Sequence, residues 1–153
     1  MQRTSYGVTD VGLIRDDNED SLLRLDVDGL YLVADGVGGE NAGDRASKLA
    51  VATLNESAHE LAELVAKADD DGGEASRRAV FDALVACVER SNSDVFAASQ
   101  NDEDLRGMMT TLTVVLLARS AAYIAHVGDS RVYLLREREL EQLTVDHTLA
   151  EEL

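Results

Sequence analysis

Along the chain the apolar residues switch between the spacing of strands and that of helices. Leu30 to Ala34 is a short continuous apolar run of the kind a buried strand requires, and a weaker run near 20–26 precedes it. From Arg45 to Lys67 the spacing turns helical, with Ala46, Ala50, Leu54, Ala58, Leu61 and Leu64 on one face of a helix expected near 43–67. A second helix is expected near 75–98, carrying the stripe Val80, Leu84 and Val88. The pattern then returns to strands near 110–118, 121–128, 131–136 and 139–143, and a strand is also expected over 4–9. Asp69-Asp-Asp-Gly-Gly73 reads as the loop between the helices, and Ser99 to Arg106 as a polar, mobile connection. Asp146 or Thr148 is a candidate cap for a final short helix. Antiparallel strands in short hairpins, interrupted by a helical hairpin, predict an α+β layered fold rather than a doubly wound α/β one.

Chemistry concentrates where the first apolar run ends. It stops at Asp35, and Gly36, Gly38, Gly39 and Gly43 follow within eight residues. An Asp at the end of a buried strand is a fixed anionic ligand, and Gly36 lets a backbone carbonyl approach the same ion. The segment therefore suits a hard divalent cation held where strand meets helix. Asp-Gly is equally the commonest hairpin turn pair, and that reading stays open. A dinucleotide fingerprint fails because Asn41 stands where a third glycine belongs, and no Gly-Lys-Ser/Thr makes a P-loop.

A second acidic element lies upstream, where Arg15 is followed by Asp16, Asp17, Asn18, Glu19 and Asp20. As a calcium loop it fails, since Ser21 replaces the required glycine and Val27 the closing Glu. It reads either as a solvated acidic loop or as a phosphate site. In the second case Arg15 grips phosphate oxygens bidentately while the carboxylates organise water near a metal. A third element is the Gly128-Asp129-Ser130 turn between two strand-like runs.

In this order and spacing the segments resemble the metal-dependent protein serine/threonine phosphatases, the PPM or type-2C family, in their bacterial form. The matching stretches are Arg15-x-x-Asn18-Glu19-Asp20, Asp35-Gly-Val-Gly-Gly39 with Gly43, Gly107-Met-x-Thr-Thr111, and His126-Val-Gly-Asp-Ser-Arg131 with Leu143-Thr-x-Asp-His147. The resemblance covers the whole chain and implies the N-terminal part of an α–β–β–α sandwich, a single domain over 1–153 that is incomplete at its C-terminal side. It implies that Asp35 bridges two Mn²⁺ or Mg²⁺ ions and that the Gly36 carbonyl binds one of them. Glu19 and Asp20 correspond to acids holding metal-bound water, Arg15 to the arginine that binds substrate phosphate, and Asp129 to a ligand of a third, weaker metal. The implied reaction is in-line attack of metal-activated water on phosphoserine or phosphothreonine, with no phosphoenzyme. The implied partners are phosphorylated proteins, a serine/threonine kinase or its substrates.

Three departures from the family pattern stand out. Glu40 occupies the position of a usual His, adding negative charge near the metals, and Met109 replaces a glycine. The family's later Ser-Asp-Gly and Asp-Asn segments, each with a metal-binding aspartate, lie beyond the pattern present in these 153 residues. The expectation is therefore an incomplete two-metal centre with weak metal affinity, and either a phosphatase fragment or a catalytically impaired module binding phosphoproteins or a kinase.

Composition narrows the classes further. A length of 153 residues suits about one domain. A net charge of −16 repels nucleic-acid phosphates, so no nucleic-acid partner is expected. No apolar run approaches the roughly 20 residues that cross a membrane, and the N-terminus lacks the apolar core of a signal peptide. One cysteine, Cys87, forms no internal disulfide and reads as core packing, in keeping with a cytoplasmic location. His59 is expected to face solvent and His126 to be a satisfied sheet residue, while His147 follows Asp146 at a helix start. None has a nucleophile partner by sequence.

Overall fold

Strand β2, Leu30–Val37, is longer than the apolar run that announces it and lies inside a five-stranded antiparallel sheet. The computed structural model describes residues 3–39 and 42–148. The sheet runs β1 (Asp20–Leu25), β2, β4 (Leu112–Leu117) and β5 (Ala122–Val127), with the two-residue β3 (Met109–Thr110) also pairing with β2. A separate hairpin, β6 (Tyr133–Arg136) with β7 (Glu139–Gln142), starts over one face of that sheet. Its two-residue turn places Glu137 and Arg138 at positive φ, the twist that a tight hairpin demands.

Alternation along the strands sorts residues onto two faces. Leu30, Leu32, Ala34, Leu112, Val114 and Leu116 point to one side and are buried beneath the helices. Helix α1 (Ala42–Glu56) lies on β1 and β2, while α2 (Ala58–Asp71) and α3 (Glu74–Asn101) pack with it as a helical layer. This is the α+β layering the sequence predicts.

The predicted helix over 43–67 is two helices. Thr53 Oγ1 donates to Asp94 of α3 at 2.8 Å and lies 3.2 Å from the Leu49 carbonyl, and Ser57 Oγ turns back to the Thr53 carbonyl. Such back-bonding bends helices, and Ser57 N–H bonds Leu54 in a tighter i−3 turn. Beyond the break the stripe continues through Ala58 and Leu61, and Val65 is buried where Leu64 was expected, Leu64 being only partly buried. α2 continues through the expected loop to Asp71 and stops at Gly72, whose φ of 65° permits a left-handed cap onto the Ala68 carbonyl. The acidic run there brackets the β4–β5 turn: Asp69 accepts from the Arg119 backbone N–H at 3.0 Å, and Asp70 from its guanidinium at 2.7 Å.

Other boundaries also moved. α3 runs on to Asn101, and the connection expected from Ser99 contains a short 3₁₀ turn, Glu103–Leu105, capped by Asp102. No strand forms over 4–9. That stretch is held by side chains, Arg3 donating to the Leu117 carbonyl at 2.8 Å and Ser5 to Asp26 at 2.5 Å, in place of a ladder. Asp146 and Thr148 precede no described helix, because a helix starting there falls on 149–153, outside the described residues. Among the described residues no helix is long and apolar enough to cross a membrane.

Candidate metal centre

Asp35 is not at a strand tip: β2 continues through Gly36 and Val37, which excludes the hairpin-turn reading of Asp35-Gly36. Asp20 is its direct cross-strand partner on β1. Side chains so paired stand about 4.5–5.5 Å apart at Cβ on one face, an arrangement that disfavours two like charges. The Asp35 carboxyl titrates above the ordinary carboxylate range. Partial burial is the main cause, followed by the negative charges of Asp20 and Asp129 and a hydrogen-bond contact with Asp20, while the Arg15 guanidinium opposes them. Three residues, from two distant parts of the sequence, thus act on one carboxyl.

Local structure explains how each arrives. Asn18 orients Asp20, its Oδ1 accepting from the Asp20 backbone N–H at 3.1 Å while its Nδ2 donates to Thr9 Oγ1 at 2.8 Å. Arg15 lies on the exposed 10–18 loop just before β1. Glu19 serves twice: its carbonyl accepts from Gly36 N–H at 3.2 Å, and its carboxylate lies against Gly43 in the first turn of α1. A side chain on Gly36 would collide with the Gly43 and Glu19 carbonyls, and one on Gly43 would strike the Glu19 carboxylate. Glycine at both positions is what lets the helix start sit directly on the strand end.

Asp129 sits in the turn after β5, where Gly128 adopts φ 108° and leaves no space for a side chain beside Thr111. His147 clamps that turn: its N–H donates to the Gly128 carbonyl at 2.8 Å, and its Nδ1 accepts from Gly128 N–H at 3.3 Å. Arg131 forks onto Asp146, with Nε 2.9 Å from Oδ1 and Nη2 2.5 Å from Oδ2. That hydrogen-bonded pairing pushes the Asp146 carboxyl below its usual range. His59 is exposed, as expected. His126 is only half satisfied. Nδ1 meets Thr113 Oγ1 at 2.9 Å, whereas Nε2 is buried without a partner among the described residues, and the ring lies 4.9 Å from that of His147.

The threonines were missed as functional residues. Thr111 N–H donates to the Asp35 carbonyl at 2.8 Å, Asp35 N–H donates to Thr111 Oγ1 at 2.9 Å, and Thr110 Oγ1 lies 3.1 Å from the Asp35 carbonyl. The Thr110-Thr111 pair within a turn-flanked strand was the available signal. Met109, exposed in β3 opposite Val37, has no positive φ; Gly107, at 79°, takes the turn. Glu40 lies outside the described residues. Every candidate donor here is a hard oxygen, which suits Mn²⁺ or Mg²⁺ rather than a soft metal. Among the described residues, no three His, Cys, Asp or Glu side chains converge into a group ready to hold a metal.

Comparison with known proteins identifies the lineage. The family model for protein phosphatase 2C matches residues 9–151. The serine/threonine phosphatase stp of Listeria monocytogenes is 38% identical over 148 residues, which are 95% of this chain and 55% of that protein. The crystal structure of the Mycobacterium tuberculosis serine/threonine phosphatase PstP/Ppp superposes with a TM-score of 0.74 at 39% identity, covering 92% of this chain and 53% of that one. A structure of the PstP catalytic domain in complex with two manganese ions gives 0.72 at 40% identity, covering 92% and 54%. The chain spans about half the length of these relatives. It belongs to the protein phosphatase 2C family.

Proposed function

From this family membership we propose that the chain works in metal-dependent hydrolysis of phosphoserine and phosphothreonine in proteins, as a single phosphatase domain in the cytoplasm. Two Mn²⁺ or Mg²⁺ ions would be held by Asp35, the Gly36 carbonyl, Glu19 and Asp20, and a third by Asp129. One observation carries the reading: Asp35 faces Asp20 across an antiparallel pair while its carboxyl also feels Asp129 and Arg15. A cluster of like charges at a sheet end is costly unless it has cationic work to do. When bound, such ions lower the pKa of water and neutralise charge on phosphoryl oxygens.

The chain's own residues supply the rest. The Arg15 guanidinium, on an exposed loop beside the acidic cluster, matches two phosphate oxygens in fork geometry and sets the phosphate's orientation. Asn18 holds the Asp20 backbone, and the two threonines hold that of Asp35. Cys87, on α3, packs partly buried against the core and takes no part as a nucleophile. The expected partners are phosphorylated proteins, among them a serine/threonine kinase or its substrates.

A second reading is a binding module that holds phosphoproteins without hydrolysing them. It is favoured by the lack, among the described residues, of three converging donors. Phosphate release from a phosphothreonine peptide by the protein at its full natural length, with and without Mn²⁺, separates the two. Hydrolysis that requires Mn²⁺, disappears in Asp35→Asn and shows a raised KM in Arg15→Ala is the expected result. Phosphopeptide binding without turnover would establish the module, and full activity in Asp35→Asn would remove this strand from the centre.

A further inference from the structure

The register between β2 and its partners is continuous across a gap in hydrogen bonding. Val33 pairs with Thr113 on β4 and Gly36 pairs with Thr110 on β3, so Asp35 stands opposite Thr111. Residues directly opposite in a hydrogen-bonded antiparallel pair exchange two backbone bonds. Here only one is made, from Thr111 N–H to the Asp35 carbonyl. Asp35 N–H instead donates to the Thr111 side-chain hydroxyl at 2.9 Å, and the Thr111 carbonyl lies 2.9 Å from Thr110 Oγ1. A side-chain oxygen has replaced a backbone oxygen in the ladder at the residue that carries the central carboxylate.

That substitution has a consequence on the far side. Because Thr111 Oγ1 accepts from Asp35, its own proton is free to go to Ser130 Oγ, 2.9 Å away. Ser130 follows Asp129, and its carbonyl accepts from Thr113 Oγ1 at 3.2 Å. The Thr111 methyl meanwhile packs on Gly128, just before Asp129. One side chain therefore touches the backbone of Asp35 with its oxygen and both neighbours of Asp129 with its oxygen and its methyl. A backbone carbonyl in its place would reach only Asp35.

We propose that Thr111 is a positioning residue that fixes the spacing between the Asp35 and Asp129 carboxylates, and so the affinity of the centre for divalent cations. The proposal rests on the metal reading given above. The hydroxyl does most of this, and the methyl adds the contact with Gly128. Valine keeps the shape but leaves Asp35 N–H without its acceptor, and serine keeps the acceptor but loses contact with Gly128.

The test uses Mn²⁺ binding, followed by electron paramagnetic resonance and calorimetry, together with hydrogen exchange at the Asp35 amide, on the protein at its full natural length. Thr111→Val is expected to lower Mn²⁺ affinity about 10- to 100-fold, as loss of an outer-shell partner does, and to speed exchange at Asp35. Thr111→Ser is expected to recover most of both. Ser130→Ala, which removes the other end of the hydroxyl bridge, is expected to weaken Mn²⁺ binding, and its effect should not add to that of Thr111→Val. A purely structural threonine would lower stability while leaving the Mn²⁺ affinity of the folded protein unchanged. Wild-type affinity in Thr111→Val, with binding abolished in Asp35→Asn, overturns the proposal and leaves the metal reading intact. Failure of the wild-type protein itself to bind Mn²⁺ overturns the metal reading and the proposal with it.

Discussion

The two faces of the five-stranded sheet are built from alternate residues of the same strands and have opposite characters. Leu32 and Val33 are adjacent, yet Leu32 is 3% exposed beneath the helices and Val33 is 45% exposed on the other side. The helix face is mainly aliphatic: Leu30, Ala34, Leu112, Val114 and Leu116 are all buried, with Ser21 meeting Ser47 of α1 beside them. The other face mixes apolar residues with the working ones, since Asp20, Asp35, Thr113 and His126 share it with Leu22, Val33 and Val115. A shift of one residue in register would exchange the faces entirely, burying Asp35 under α1. Packing on one side therefore fixes the chemistry on the other, and the two sides should respond to substitution in different quantities.

Breaking the helix face should have the largest effect. Leu116 is fully buried, and Leu116→Ala removes its contacts and leaves a cavity. The expected loss is about 2–5 kcal/mol, read as a lower urea midpoint with an unchanged slope. That is a large part of the 5–15 kcal/mol typical of whole proteins. A loss below about 1 kcal/mol would mean that the helical layer contributes little to holding the sheet.

On the opposite face the expected effect is on the sign of pH dependence rather than on total stability. The Asp35 carboxyl binds its proton more tightly folded than unfolded, chiefly through partial burial and then through Asp20 and Asp129. Its contribution is neutral below its unfolded value near 3.8 and becomes unfavourable as pH rises through the raised folded value. Asp146 behaves oppositely: paired with Arg131, it is held low, and its stabilisation is present above the unfolded value and lost as pH falls through the lowered one. In metal-free protein, Asp35→Asn should therefore gain stability relative to wild type as pH rises from about 4 towards neutrality, and Asp146→Asn should lose it over the acid range. Parallel pH profiles for the two variants would contradict the assignment of opposite strain to the two sites.

What could be read in the sequence follows from the same contrast. Strand β2, the helix stripe and the α+β class came from periodic aliphatic residues, which report burial directly. Arg15, Glu19, Asp20, Asp35, Gly36 and Asp129 came from motif order, because isolated charged residues have no periodicity to read. The break at Ser57 was hidden, since Ser57 turns the chain through a hydroxyl bond and a tighter backbone bond that leave the apolar stripe almost unchanged. The failed strand over 4–9 alternates correctly but is tied by Arg3 and Ser5 side chains, and ladder partners are set by tertiary position. Thr111 escaped as a working residue because its role depends on standing opposite Asp35, 76 residues away.

The smallest expected effect sharpens the comparison most. Val33 neighbours Leu32 in β2 but has nearly half its surface exposed, with Leu22 and Thr113 as its cross-strand partners. Val33→Thr keeps the β-branched shape that suits a strand and gives the new hydroxyl access to solvent. Its cost should stay within about 0.5 kcal/mol, the range of substitutions away from buried features. Leu32→Ala, one residue away, should cost at least about 2 kcal/mol. Measuring both by urea denaturation in the same full-length protein gives the ratio between the faces without reference to absolute stability. A Val33→Thr cost approaching that of Leu32→Ala would show that this face is covered in solution, and the site beside it would then be less open than its exposure here implies.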